Sequence, residues 1–314
     1  MVQPQKSPEI LHRFDFEAMG TDISVIVDCS PDFSYLIEAI EPKFHTWEKI
    51  FSRFIASSEL SRLNQAKGKS FMASNEFAEV LTIAQLAETF SGGIVNFTML
   101  DQIIAAGYTQ DFRSLNGTHV SFDNHPWFAV HSVHEIEIDK VNKMVTMPFD
   151  MQVDLGGIVK GWAAQQAATS LIEIGPALVN AGGDLYATGP QRDGSLWQVS
   201  IERPYGEGEP IANFGIGKGA VATSGIYRRR WEVNGNSLHH LIDPRTGTSA
   251  QTDLAAATVI ADNGYIAETA AKTILIKGSH EGMEWAEQHE VPAFIVLDDG
   301  TAQYNPAMHR FFWS

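Results

Sequence analysis

Five short segments combine glycine or other small residues with one or two polar side chains. They are Ala18-Met-Gly-Thr21, Val153-Asp-Leu-Gly-Gly-Ile-Val-Lys-Gly161, Asn180-Ala-Gly-Gly-Asp184, Ala220-Val-Ala-Thr-Ser-Gly225 and His239-His-Leu-Ile-Asp-Pro-Arg-Thr-Gly247. Glycine lets a backbone approach a ligand closely and present N–H donors to it. Taken singly, each segment reads as a tight turn. Five in one chain suit a ligand with a flat ring and phosphates.

Other candidate motifs fall away. Gly215-Ile-Gly217-Lys-Gly219 lacks the Ser or Thr and the four-residue spacer of a Walker loop, and strands flank it, so it reads as a strand edge. His131 and His134 lack a third ligand nearby and read as a solvated hairpin. Arg228-Arg-Arg230 reads as a solvated strand end, with contact to a ligand phosphate as the sharper alternative. Cys29, the only cysteine, reads as a small residue closing a strand, and excludes a disulfide framework or a Cys-based metal site within one chain.

The elements that must position these segments alternate between strand and helix patterns. Residues 23–27 read as a strand after the turn at Gly20. Apolar spacings of three and four predict a long helix from Pro31 to Phe51, and a second from Glu76 to Phe90, ended by Gly92-Gly93. Residues 134–139 and 143–147 read as a hairpin. The glycine turn at 156–157 leads into a helix to about Ile174. Strands are expected near Leu178, at 197–202, 219–223, 231–233 and 256–261, with helices at 264–276 and 281–288 and a buried strand at 294–297. Hairpins mixed with paired helices predict an α+β fold with antiparallel sheets rather than a regular βαβ winding. Residues 203–210 read as an exposed loop and a weak candidate for a domain boundary.

The chain has 314 residues and a formal charge of −16, with 44% hydrophobic and 19% charged residues. This is the composition of a folded protein, long enough for a full core. The acidic balance argues against a nucleic-acid partner, though not against a small phosphate ligand in a local pocket. No run reaches signal-peptide or membrane-span length, so no membrane span is expected and a cytoplasmic location is the expectation.

The same motifs, in order, resemble the ApbE family of FAD:protein FMN transferases. The resemblance covers Ala18 to about Gly278, and Ser58-Glu-Leu-Ser-Arg-Leu-Asn64 is similar to the family's early Ser-x-Leu-x-x-x-Asn element. It implies one ApbE-like domain over residues 1–314: an α+β fold with a duplicated antiparallel-sheet core of the tunnelling-fold type and packed helices. It also implies an activity. FMN moves from FAD to a Ser or Thr hydroxyl of a target flavoprotein, with release of AMP, and Mg²⁺ supplies charge neutralisation. The acceptor carries a Ser/Thr-Gly-Ala-Thr-like motif. The alternatives are an FAD-binding protein with lost or metal-independent activity, and an FAD pyrophosphatase.

By this resemblance Met19, Phe54, Ile94, Val95, Asn96, Gly156, Trp162 and Ile242 fall on flavin-ligand contacts. Lys160 and Arg245 become candidate phosphate neighbours, Asp184 and Asp243 braces of their loops, and His240 the candidate general base, since imidazole titrates near neutrality. The metal site departs from the family pattern. Glu268 stands where the family has Asp, and Lys272 where it has the Thr ligand; the carbonyl of Val159 matches a third metal contact. An ammonium has no lone pair, so Lys272 is no ligand. In the cation's place it would neutralise a phosphate without metal. Asn96 and Gln165 each replace a family Asp, which further removes negative charge.

Overall fold

The computed structural model describes residues 10–108, 129–205, 208–227, 230–233 and 236–313. Its frame is one eight-stranded sheet. The strands are Ile10–Ala18, Thr21–Cys29, Ala177–Ala181, Asp184–Ala187, Gly219–Gly225, Leu254–Ala261, Ala293–Leu297 and Ala302–Tyr304, and their order in space is their order in the chain. Every neighbouring pair is antiparallel. Between the second and third strands run α1 (Ile40–Phe51), α2 (Glu59–Gln65), α3 (Asn75–Ser91), α4 (Leu100–Ala105) and α5 (Val159–Thr169); between the sixth and seventh runs α6 (Gly264–Gln288). A strand pair, a closing helix and a second strand pair thus occur twice along one sheet. This is the duplicated antiparallel core expected above.

Both faces of the sheet are buried, and side chains alternate between them. Val25, Val27, Val179, Ala222, Ala257 and Val259 join the core formed with the helices. Leu178, Leu185, Val221, Ala256, Ile260 and Phe294 face the other way, onto the hairpin Trp197–Ile201/Ala212–Ile216 and Met308. Burial on both sides explains why the central strands read as unbroken apolar runs. Cys29 closes its strand as expected, and it is buried.

Local signals explain the helix ends. Ser74 caps α3 by accepting from the N–H of Phe77 at 3.1 Å, and Gly92 ends it in the left-handed region at φ 64°. The helix expected over 31–51 divides: Pro31–Ala39 is a 3-10 helix, and α1 begins at Ile40. That start places Pro42 in the first helical turn, where its missing N–H removes no intrahelical bond. The helices expected at 264–276 and 281–288 are both present: α6 is broken at Gly278, whose φ of 82° and ψ of 178° are not helical. After the kink, Asp253 accepts from the N–H of Ser279 at 2.9 Å.

Smaller differences are local. The hairpin is Glu137–Asp139 with Met144–Thr146, and residues 133–135 form a 3-10 turn closed by a Ser132/Glu135 capping box. His131 Nδ1 lies 3.1 Å from Glu135 Oε2, and His134 Nε2 lies 2.9 Å from Thr89 Oγ1, so the two rings serve local bonds. Residues 203–205 and 208–210 belong to the connection between the paired strands Trp197–Ile201 and Ala212–Ile216. Arg228 and Arg229 lie outside the described residues. No described helix is long and apolar enough to cross a membrane.

Candidate active site

The five glycine-containing segments converge on one cavity of about 1230 Å³. Two hairpin turns form part of its wall. Met19-Gly20 joins paired residues Ala18 and Thr21 with both φ values positive, at 53° and 66°. A two-residue primed turn requires this, and it is costly for a methionine. Gly182-Gly183 repeats the arrangement between Ala181 and Asp184. The turns lie side by side: the N–H of Gly182 donates to the Asp22 carbonyl at 3.1 Å, and a Cβ on Gly182 would sit 2.2 Å from Thr21 Oγ1.

The glycine turn after residue 153 is held from several directions. Ser58 caps α2 by accepting from the N–H of Ser61 at 3.0 Å. At the other end of α2, the Asn64 amide clamps Val153: Nδ2 donates to its carbonyl and Oδ1 accepts from its N–H, each at 2.9 Å. Asp154 accepts from the N–H of Gly156 at 2.7 Å and forms an ion pair with Arg53, 3.1 Å from Nε to Oδ2. The Arg53 guanidinium carbon lies 4.4 Å from the Phe54 ring centre and 4.7 Å from that of Tyr108, and its NH2 donates to the Tyr108 carbonyl at 2.7 Å. One cation therefore joins the glycine turn to an aromatic wall.

Charged groups meet at the floor. Lys272 Nζ donates to Glu268 Oε1 at 2.9 Å, Lys160 Nζ lies 3.4 Å from the same oxygen, and Lys160 also pairs with Asp184. Glu268 Oε2 accepts from the N–H of Gly161 at 3.1 Å. Burial opposes charge on Glu268, but the Lys160 and Lys272 ammoniums and these hydrogen bonds hold it down to about 2. Burial, with Glu268 alongside, pushes the Asp184 carboxyl up; burial draws the Lys272 ammonium down against the attraction of Glu268. Close approach needs glycine here. A Cβ on Gly161 would lie 2.8 Å from the Gly264 carbonyl oxygen, and one on Gly157 would lie 3.2 Å from Lys272 Cε.

The residues named from sequence divide clearly. Met19, Phe54, Ile94, Val95, Asn96, Gly156, Val159, Lys160, Asp184, His240, Ile242, Glu268 and Lys272 all line the cavity. Trp162 does not. It is buried in an aromatic cluster, 5.2 Å from Trp47 and 5.5 Å from Phe51 between ring centres, with Nε1 donating to Glu79 at 3.0 Å. Its helical position turns it away from the turn it follows. Arg245 is also absent from the lining: it folds back on Asp243 through a two-pronged ion pair, 2.9 Å from Nε to Oδ1 and 2.8 Å from NH2 to Oδ2.

Of the two adjacent histidines, His239 is structural: its Nε2 lies 2.9 Å from the Ala250 carbonyl and its Nδ1 accepts from the N–H of Leu241 at 3.3 Å. His240 borders the cavity, 6.5 Å from the Tyr108 ring. The two substituted acids have local partners as well. Asn96 accepts from the N–H of Thr98 at 2.7 Å and donates to the His131 carbonyl at 2.8 Å; Gln165 accepts from the N–H of Gly264 at 2.8 Å. Sequence reasoning missed Arg53, Tyr108 and Asp154 as organisers. Asp154 stands inside a motif already noted and Arg53 directly precedes Phe54; Tyr108 carries no such signal.

The floor does not fit a divalent cation. Both oxygens of Glu268 are engaged, an ammonium faces the one directed at the cavity charges, and no described group of three His, Cys, Asp or Glu is placed to hold a metal. The expected metal role of Glu268 is therefore not supported by this arrangement.

A family model described as the ApbE family matches residues 19–295. An FAD:protein FMN transferase of Vibrio cholerae is 26% identical over 285 residues, covering 89% of this chain and 83% of that protein. One from Haemophilus influenzae is 27% identical over 271 residues, covering 83% and 76%. Among solved structures, the ApbE protein of Thermotoga maritima superposes with a TM-score of 0.86 at 23% identity, covering 97% of this chain and all (100%) of that one. The flavin transferase ApbE of Vibrio cholerae gives a TM-score of 0.80 at 24% identity, with coverage of 97% and 100%.

Proposed function

The chain belongs to the ApbE family, and from that premise we propose that it is an FAD:protein FMN transferase. The cavity would hold FAD, and a Ser or Thr hydroxyl of a target flavoprotein would attack the phosphorus on the FMN side. The new bond joins that hydroxyl oxygen to phosphorus, the bond to the bridging oxygen breaks, and AMP leaves carrying that oxygen. The hydroxyl proton goes to His240. Such a displacement depends on alignment and charge neutralisation more than on a covalent intermediate.

The single observation that carries this reading is the convergence of the family's ordered motifs on one cavity wide enough for a dinucleotide, with His240 and two lysines on its wall. Met19, Ile94, Val95 and Ile242 supply apolar surface for a ring system. Lys160 and Lys272 supply positive charge for a diphosphate, and the Phe54 ring a face for stacking. The acceptor is a protein segment carrying a Ser/Thr-Gly-Ala-Thr-like sequence, and the reaction takes place in the cytoplasm.

The Glu268–Lys272 pair favours a second reading, an FAD-binding protein that no longer cleaves its ligand. One experiment separates them. The protein is incubated with FAD and an acceptor fragment, and intact acceptor mass and AMP are followed. A gain of one FMN supports the transferase. AMP and FMN without labelling point to a pyrophosphatase, and intact bound FAD points to the binding protein.

A further inference from the structure

Lys272 and Glu268 face each other one turn apart on α6, and the surroundings fix them there. Gly157 packs against the lysine stem, where a Cβ would lie a tight 3.2 Å from Lys272 Cε. Lys160 approaches from α5 and Asp184 from its strand. Two ammoniums and two carboxylates sum to zero charge, in a place where all four side chains are at most 16% exposed. A divalent cation entering this group must displace Lys272 from Glu268 and leave two positive charges uncompensated in a setting with little solvent, which is unfavourable. An anionic ligand need not break the Lys272–Glu268 pair, although Glu268 and Asp184 border the cavity as well. Both ammoniums border the cavity, and a diphosphate there gains attraction from each without displacing a cation.

We infer that Lys272 is the resident cation of this site: with Lys160 it neutralises the diphosphate of the bound dinucleotide, and no divalent cation binds at Glu268. The carboxylates of Glu268 and Asp184 position the two ammoniums. The inference rests on the proposed function for the identity of the ligand, but its statement about cations does not depend on catalysis.

The test uses the full chain and two probes, Mn²⁺ followed by its magnetic-resonance signal and FAD followed by flavin fluorescence. Wild-type protein, with or without FAD, should leave millimolar Mn²⁺ free of any site that Glu268→Gln removes. Its affinity for FAD should be the same in EDTA as in Mg²⁺. Lys272→Met should weaken FAD binding in EDTA by about tenfold or more, as expected for loss of a charge-assisted contact. Should that variant fail to fold, Lys272→Met with Glu268→Gln restores neutrality and should show the same loss. The pair Glu268→Asp with Lys272→Thr should gain a Mn²⁺ site at least about 100-fold tighter than wild type, since it restores oxygen donors and removes the ammonium.

Stoichiometric Mn²⁺ in the wild type that Glu268→Gln releases overturns the inference. So does wild-type FAD affinity that collapses in EDTA, or a Lys272→Met variant that binds FAD as wild type does. AMP release in the same EDTA samples separates the two claims. Tight metal-free binding without cleavage supports the cation assignment and contradicts the transferase. EDTA-sensitive transfer with Mn²⁺ at Glu268 does the reverse.

Discussion

Lys272 Nζ lies 2.9 Å from Glu268 Oε1, one turn along α6, and that carboxylate is 1% exposed. The acid precedes the base, the favoured order on a helix, but the pair is far from an ordinary surface i,i+4 contact. Lys160 and the N–H of Gly161 share the same carboxylate. Removing one member of such a group leaves a buried charge without compensation.

Glu268→Gln should therefore destabilise the protein by about 3–5 kcal/mol at neutral pH. The loss should depend on pH. The Glu268 carboxyl is held down to about 2 from an ordinary value of 4.5. Its contribution is fully present above about 4.5 and fades as pH falls toward 2, where folded and unfolded states are both protonated. Denaturant unfolding of both proteins across that window should show the gap between them closing. A gap that stays constant contradicts the account of the pair.

His240→Ala should lower kcat for acceptor labelling by about 10²- to 10⁴-fold, the range for loss of a general base, with little change in stability. His239→Ala should act the other way round. It removes a ring bonded to the Ala250 carbonyl and to the Leu241 N–H, so it should cost about 1–3 kcal/mol of stability. Thermal unfolding beside single-turnover labelling separates these effects.

Met19 sits at φ 53°, where a side chain is strained and glycine is not. Met19→Gly should stabilise the chain by about 1 kcal/mol while weakening FAD binding, because the variant keeps the turn but loses apolar surface on the cavity wall. Calorimetry and a fluorescence titration report the two quantities. Lower stability together with unchanged affinity contradicts this reading.

Arg53 should act through position rather than by touching the reacting atoms. Its guanidinium bonds Asp154 and the Tyr108 carbonyl while lying over two rings, which a lysine cannot reproduce. Arg53→Lys should raise the KM for FAD several-fold and leave the pH profile of kcat in place. A shifted profile with unchanged KM runs against a positioning role.

The motifs were legible because their causes are local. Ala18-Met-Gly-Thr21 and Asn180-Ala-Gly-Gly-Asp184 announce tight turns by their glycines, and Gly92 marks the end of α3. Spacing also placed the two helical stretches of α6, one on each side of Gly278. What stayed hidden depends on contacts between distant elements. Lys160, Asp184, Glu268 and Lys272 come from α5, a strand and α6, and only the fold shows that they form one neutral group. Trp162 followed a glycine turn in sequence yet points into the core, because rotation along α5 decides its direction. Arg245 reads as a free cation until its pairing with Asp243 is seen.

The most direct measurement combines the full-length protein, FAD, excess EDTA and an acceptor fragment bearing a Ser/Thr-Gly-Ala-Thr-like segment, followed by intact mass. The account predicts a mass gain of one FMN on the acceptor, stoichiometric with released AMP, and no gain with His240→Ala. An unlabelled acceptor with FAD bound and intact, under conditions where an active member of the family labels the same fragment in Mg²⁺, would contradict it.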